Sequence, residues 1–493
     1  MSAPGAAIGV DVGTSNVKVV LVDGDGRRRQ FTERPLVTAR DGDRAEQDAE
    51  ALWSAVVDAV GEVVALGGDE PVCHLAVCSQ YSSIVPVGPD LVPVGPLVLY
   101  WDQRGTDRSW AILGEHPDAF ERFVERHGIP PVGSGLSLGH LLALQHDHPD
   151  QHAATAWYLE PMDYLVARLT GEVAATQATQ FMAQVVDNRT LGATDYDDEL
   201  LGLAGLDADR LPPLRPVESV VGPVRAEVAA ELGLPAGVEV PVGMNDSAAG
   251  ALAAGVYAEG RGGLAIGTTA VLLDTVADKR VDLDAELVSM PSSVPGRYLA
   301  WAENGIAGKA VEHGLALLDG SFAHLETALA ASPAGANGVL FLPWMAGAMA
   351  PAADRTARGG FLNVSLDTTR EDLVRAMVEG TAHNVAWLLP EVERFTGQAV
   401  TELAFFGGAA RAPGWGQVLA DALGRPVATV ADPETAVAAA VARRAQVHPV
   451  DAAPVVRAVH DPDPDAHEVL AAAQEQFRAA HAALRPIHHA LNG

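Results

Sequence analysis

Two short segments, far apart in the chain, each join apolar strands through a turn able to hold an anion. The first runs Ile8-Gly9-Val10-Asp11-Val12-Gly13-Thr14-Ser15-Asn16-Val17-Lys18, the second Gly263-Leu264-Ala265-Ile266-Gly267-Thr268-Thr269-Ala270-Val271. Glycine tolerates positive φ and close backbone approach. Turn N–H groups and the Thr and Ser hydroxyls are suited to phosphate oxygens. One such hairpin is ordinary turn chemistry. Two copies, one near the start and one past the middle, predict a duplicated fold gripping one polyphosphate from both sides. Asp11 lies three residues before Thr14, inside the first strand. A strand carboxylate is costly to bury unless it is paired or near a metal. It therefore reads as a Mg²⁺ ligand beside the phosphates. Lys18 is the nearby cation, unless it projects to solvent.

In Gly243-Met244-Asn245-Asp246-Ser247-Ala248-Ala249-Gly250 a strand ends and a helix of small residues starts. Asn245 or Asp246 could simply cap that helix. The segment also falls at an expected domain boundary, where a cleft forms. A carboxylate there could take the proton of a substrate hydroxyl as a phosphoryl group arrives. Phe405-Phe406-Gly407-Gly408-Ala409-Ala410-Arg411 ends a strand in a glycine turn on which adenine and ribose could lie. In Tyr100-Trp101-Asp102-Gln103-Arg104, charges for hydroxyls stand beside rings for carbons, as polyol recognition requires; a surface ion pair is the plainer alternative. His146, His148 and His152 lie in a polar, proline-broken stretch and read as a solvated helix end rather than a zinc site.

These residues need a large α/β frame. The 493 residues exceed the ~250–300 at which single cores stop growing. Strand and helix patterns alternate. Helices are expected over 47–64, 138–148, 161–169, 246–254 and 437–444, and a long one within 365–396 that opens at Thr369-Arg370-Glu371-Asp372. Strands are expected over 74–78 and 97–100, a loop over 206–223, and strand, turn and helix over 401–424. A terminal helix places Leu470, Ala473, Phe477 and Leu484 at helical spacing. The expected division is 1–245, 246–450, and a linker with helix over 451–493. The formal charge of −31 argues against nucleic acid or anionic membranes as partners. No apolar run reaches the ~18–20 residues of a membrane helix. The opening Met1-Ser2-Ala3-Pro4-Gly5 has no basic segment, so a cytoplasmic location is expected. The two cysteines, Cys73 and Cys78, fit neither a redox nor a zinc spacing and read as structural.

In their order, these motifs resemble the FGGY family of carbohydrate kinases, from about residue 8 to residue 444. That resemblance implies two actin-like, ribonuclease-H-like α/β domains with a cleft between them, using ATP and Mg²⁺. It implies phosphate and nucleotide contacts at Gly13, Thr14, Ser15, Lys18, Gly267, Thr268, Gly308, Gly408 and Ala409, with Trp415 following the last turn. It implies Asp11 at the metal and Asp246 as general base. The sugar-side counterparts are Gln80, Tyr81, Ser82, Asp102, Arg104 and Asp246. Here this sequence departs from the family. Ser79-Gln80-Tyr81-Ser82-Ser83 stands where xylulokinase-type members have Gly-Gln-Met-His-Gly, and the Arg-Glu pair of glycerol kinases is absent. Tyr100 stands in place of Trp, His140 in place of Lys, Ala143 in place of Trp, and Gly347-Ala348-Met349-Ala350-Pro351 in place of Gly-Glu-Arg-x-Pro. The expected function is ATP-dependent phosphorylation of a small sugar or polyol hydroxyl, with a pentulose such as xylulose ahead of erythritol, glycerol or gluconate. A non-catalytic sugar or nucleotide sensor of the same fold is the rival. The partner is the small substrate, and a homodimer is left open.

Overall fold

The computed structural model describes residues 5–68, 70–133, 135–446 and 453–493. Three antiparallel strands open the chain: β1 (Ala6–Val12), β2 (Asn16–Val22) and β3 (Arg28–Pro35). Helix α1 (Ala49–Leu66) follows, with Asp48 accepting from the Glu50 and Ala51 N–H groups at its start. It leads to β4 (Val72–Ser79), which lies parallel to β1, a return that needs such a crossover. Strands β5 (Val220–Pro223) and β6 (Glu239–Pro241) complete the order β5-β6-β4-β1-β2-β3, and β7 (Met244–Asn245) pairs in parallel with the end of β4. Residues between β4 and β5 form a mostly helical insertion whose own core includes Ile84, Phe123, Leu138 and Leu200. Helix α2 (Asp246–Ala254) then leaves the first sheet.

The same plan repeats. Strands β8 (Arg261–Ile266) and β9 (Thr269–Val276) form a hairpin. Beyond it lie β10 (Val281–Asp282), β11 (Leu287–Pro291) and β12 (Tyr298–Ile306), with β12 antiparallel to β9. Helix α3 (Gly308–Leu317) and the long α4 (Arg370–Thr396) precede β13 (Glu402–Phe406), which returns parallel to β8. Helix α5 (Trp415–Leu423), β14 (Val427–Val430), helix α6 (Ala436–Ala445), β15 (Val456–His460) and α7 (Pro464–Asn492) complete the chain. The second sheet runs β10-β11-β12-β9-β8-β13-β14-β15.

The expected helices are present; α4 opens at the expected Thr369, whose side chain forms a capping box with Asp372. Two expectations differ. The 206–223 stretch contributes β5 to the first sheet. Part of the expected linker is β15, antiparallel to β14. Leu470 and Phe477 of α7 are fully buried, the first within the core of the second sheet.

Helices α2 and α6 knit the halves together. Both are rich in small residues, so backbones pack closely. A Cβ on Gly9 of β1 would lie 1.9 Å from the Ala438 carbonyl of α6. Ala438, Ala439 and Ala442 share one cluster with Ala7, Val20 and Val22. In return, Ala251 and Ala254 of α2 pack with Leu273 and Phe406 of the second sheet. Among the described residues no helix is long and apolar enough to cross a membrane.

Candidate active site

Three parallel strands of the first sheet end side by side. Register sets Asp11 of β1 opposite Lys18 of β2 and beside Cys78 of β4, while Met244 and Asn245 of β7 lie beside Cys78 and Ser79. The carboxyl ends of parallel strands are where such sheets bind ligands. Here those ends deliver the 13–15 turn, the 80–82 segment and Asp246 to one place. Asn245 caps α2, its side-chain oxygen accepting from the Ala248 N–H at 2.7 Å. Asp246 is therefore released from capping, which removes the bland explanation for it. Burial first, and then the neighbouring Asp11 carboxylate, pushes the Asp246 carboxyl up to about 7. Burial also raises Asp11, against the opposing pull of Lys18 and a hydrogen bond from the Cys78 thiol, whose Sγ lies 3.6 Å from Oδ1. Cys78 is fully buried, and burial together with Asp11 and Asp246 keeps it a thiol.

The turns do not use their glycines as the sequence suggests. Neither Gly13 nor Gly267 adopts positive φ. A Cβ at Gly13 would meet only the Asn16 carbonyl at 3.6 Å, and one at Gly267 would meet nothing within 4 Å. Both turns face open space. Nor is the Thr14 hydroxyl free: it donates to Gln80 Oε1 at 2.8 Å and lies 3.3 Å from the Tyr100 hydroxyl. Gln47 Nε2 donates to the Thr14 carbonyl at 2.7 Å, fixing the turn from behind. Ser15 is exposed at its tip. Gln80 donates its N–H to the Val12 carbonyl at 2.7 Å, and its buried Nε2 lacks a partner among the described residues.

In the second half, Gly267, Thr268, Gly308, Gly408 and Ala409 come together around one cavity of ≈ 390 Å³. That is within the range of small-ligand sites. Two glycines here are sterically required. A Cβ at Gly308 would lie 2.2 Å from the Gly267 carbonyl, and Gly407, at φ 89°, would press on the Ile266 carbonyl at 2.7 Å. Ala307 N–H donates to the Thr268 carbonyl at 2.9 Å, tying the turn to the start of α3. Phe322, Lys309 and Pro413 also line the cavity, and the half-exposed Phe322 ring stacks over Trp415. The sequence offered no motif for Phe322, which sits in a helical turn that leads directly into the helix Leu325–Ala331.

On the expected sugar side, Tyr81 lies beside Asp246; burial and that carboxylate raise its phenol. Ser82 adopts φ 60° and donates to the Gly135 carbonyl at 2.6 Å. Asp102 and Arg104 are not brought to an open face. Asp102 is fully buried, accepting from the Ala45 N–H at 2.9 Å and from Arg104 Nε at 2.9 Å. Arg104 pairs onward with Glu46 at 2.8 Å. This ion-pair chain holds the loop before α1 rather than presenting charges to a ligand. His140 packs against it, buried, with both ring nitrogens unpartnered among the described residues, and burial keeps it neutral. Glu303 of β12 was missed. It stands opposite Val271 beside the second turn, and it acts electrostatically on Tyr81 and Tyr100 of the first half. A lone strand carboxylate gives no sequence signal for such a position.

The N-terminal-domain model of the FGGY family of carbohydrate kinases matches residues 6–253, and its C-terminal-domain model matches residues 263–448. The xylulose kinase of Bacillus subtilis (strain 168) is 26% identical over 420 residues, covering 84% of this chain and 82% of that one. The gluconokinase of the same organism is 22% identical over 427 residues, with the same coverage. The crystal structure of xylulose kinase from Rhodospirillum rubrum superposes with a TM-score of 0.87 at 27% identity, covering 98% of this chain and all of that one.

Proposed function

Because the chain belongs to the FGGY family of carbohydrate kinases, and is therefore an ATP-dependent phosphotransferase, we propose that its acceptor is a pentulose such as xylulose, with Asp246 as the general base. The observation that carries the role is the pairing of a carboxylate freed from capping with Asp11 at the first turn. A carboxyl at about 7 is half ionised at neutral pH, so it can both accept and release a proton. In this reading 1–245 supplies the sugar side and 246–450 the nucleotide side. The nucleotide lies in the cavity lined by Gly308, Gly408 and Ala409, between Phe322 and the glycine turns. Its phosphates reach across to the 13–15 turn, whose open face leaves room for them. Lys18 offers a positive side chain beside the first turn, and Lys309 lines the cavity itself. Asp246 accepts the proton of the attacking hydroxyl, and closure of the halves keeps water from competing.

Asp11 fits a divalent cation. Its carboxylate is sheltered, and its one hydrogen-bonding side-chain neighbour is a weak thiol donor at 3.6 Å. No group of three or more metal-binding side chains exists among the described residues. Mg²⁺ needs no such cage, since one carboxylate, waters and phosphate oxygens suffice. When bound there, the ion would neutralise phosphate charge as the bond to the leaving oxygen breaks.

Relatedness to xylulose kinases supports the pentulose. Gluconate is the second reading, because Tyr81 and Ser82 replace the Met-His of xylulokinase-type members and a gluconokinase is also a relative. A coupled ADP-release screen over xylulose, ribulose, gluconate, erythritol and glycerol tests the assignment. Highest kcat/KM on xylulose or ribulose is expected; turnover confined to gluconate or to a polyol would reject the pentulose. Loss of sugar-dependent ADP release in Asp246→Asn is the accompanying control.

A further inference from the structure

A second cavity, of ≈ 450 Å³, lies at the opposite end of the first sheet's strands, where they meet the second half. It is bounded by the β2–β3 turn (Asp25, Arg27, Arg28), the end of α2, the segment after β14, residues 453–455 before β15 and the flank of α6. Strand β2 separates it from the first phosphate turn by about 20 Å, at roughly 3.3 Å per residue. The face of α6 on the cavity is a continuous stripe, Ala436, Ala439, Ala440, Arg443 and Arg444, so the cavity runs along the helix rather than off its end.

Its charge is opposite to that of the molecule. In a chain of net charge −31, four arginines line one cavity and two carboxylates accompany them. Both carboxylates are already engaged. Asp432 pairs with Arg28 at 3.1 Å, and Asp25 with Arg27 at 3.5 Å. Arg28 also donates to Thr435 at 3.3 Å. Arg443 Nη1 reaches only the Gly26 carbonyl, at 3.5 Å, and among the described residues neither Arg443 nor Arg444 meets a carboxylate within ion-pair distance. Burial lowers the Arg443 guanidinium, the cost of removing a cation from water without a counter-charge. The attraction of a helix C-terminus for cations explains their sequence position. It does not explain the cavity they share with two arginines from the other half.

We propose that this junction cavity binds a small phosphorylated anion, held by Arg443 and Arg444 of the second half and Arg27 and Arg28 of the first. Guanidinium groups match phosphate oxygens in geometry as well as charge. An anion held there would bridge the halves at the point where α2 and α6 cross between them. Leu252 and Ala253 of α2 line the cavity, and Asp246 begins the same helix, so the anion would bear on the candidate base through one rigid element. The site does not depend on the reading of the cleft.

The test is calorimetric titration of the full chain with inorganic phosphate and, separately, with ribose 5-phosphate, comparing wild type with Arg443→Gln/Arg444→Gln. The wild type is expected to show a binding event that weakens at least tenfold in the double variant. Binding in the cleft would survive that change, so equal titrations in the two proteins overturn the proposal. If the double variant does not melt cooperatively, Arg27→Glu on the exposed turn takes its place; at least threefold weaker binding is then expected, and unchanged affinity overturns the site. Ribose 5-phosphate binding more tightly than phosphate would identify a phosphorylated metabolite as the ligand, whereas equal binding would identify free phosphate.

Discussion

Replacing Asp246 by Asn should cost activity and improve stability at the same time. Asn keeps the shape but cannot take a proton, so a loss of about 10²–10⁴-fold in kcat is expected. The stability effect follows from the raised carboxyl. Its folded value is about 7, against an ordinary aspartate value of 3.8. A raised acid opposes folding wherever the unfolded chain is ionised. The penalty is absent below the unfolded value, grows as pH rises between the two values, and is complete above the folded one. At ~1.4 kcal/mol per unit, the penalty reaches about 4 kcal/mol at pH 8 and under 2 kcal/mol at pH 5. Asn gives up a favourable charge in the first turn of α2, worth about 0.3–1 kcal/mol. The net gain in the ligand-free protein is therefore about 3 kcal/mol at pH 8, and under about 2 kcal/mol at pH 5, where the folded carboxyl is already protonated and has no charge to give up. Chemical denaturation of both proteins at the two pH values, alongside ADP-release assays, measures every part of this. Normal turnover would take Asp246 out of the chemistry. A variant that is less stable than wild type at pH 8 would refute the claim that a buried, unneutralised carboxylate resides there.

Asp11→Asn should raise the Mg²⁺ concentration for half-maximal activity at least tenfold and leave the sugar KM within about twofold; an unchanged Mg²⁺ activation curve would dismiss Asp11 as a ligand. Gly13→Ala and Gly267→Ala should fold normally, because each new methyl enters open space, yet raise the KM for ATP by tenfold or more; wild-type ATP kinetics would show that no phosphate touches these faces. Gly308→Ala should instead lose stability, its Cβ meeting the Gly267 carbonyl at 2.2 Å, and a melting temperature equal to wild type would contradict that packing. Exchanging Tyr81-Ser82 for Met-His should shift preference toward xylulose by about 1–3 kcal/mol in kcat/KM with the ATP KM kept; a changed ATP KM with the same sugar profile would remove this segment from the sugar side.

What could be read from the sequence was what a few adjacent residues determine. The two hairpins, the small-residue helix after Asn245 and the Gly407-Gly408 turn are local, and each appears where expected. Gly308, Gly408 and Ala409 lie far apart in the chain but line one cavity, because the duplicated plan returns β13 beside β8. Side-chain direction was not legible. Asp102 and Arg104 have the composition of a polyol site, yet their pairing with Ala45 and Glu46 turns them inward. That choice is made by a segment more than fifty residues earlier. Nor could spacing decide which of Asn245 and Asp246 caps α2, since both residue types do so well. Glu303 escaped notice because only the meeting of the two halves places it opposite Tyr81 and Tyr100.

The pattern of close packing shows where this fold tolerates no variation and where it leaves room. Glycine is sterically demanded at Gly9 under α6, at Gly308 against the second turn and at Gly407 beside β8. These contacts set how near the halves and their turns approach one another. Glycine is not demanded at Gly13 or Gly267, where a side chain would meet almost nothing. A residue type that the backbone does not require, repeated at two turns that the chain duplication makes equivalent, needs a cause outside the chain. Under the proposed function, a polyphosphate lying across both turns would supply that cause, since a methyl group on either would occupy the volume its oxygens need. The rigid contacts hold Gly308 and Gly407 against the second turn, and the open faces are what the proposed ligand would fill.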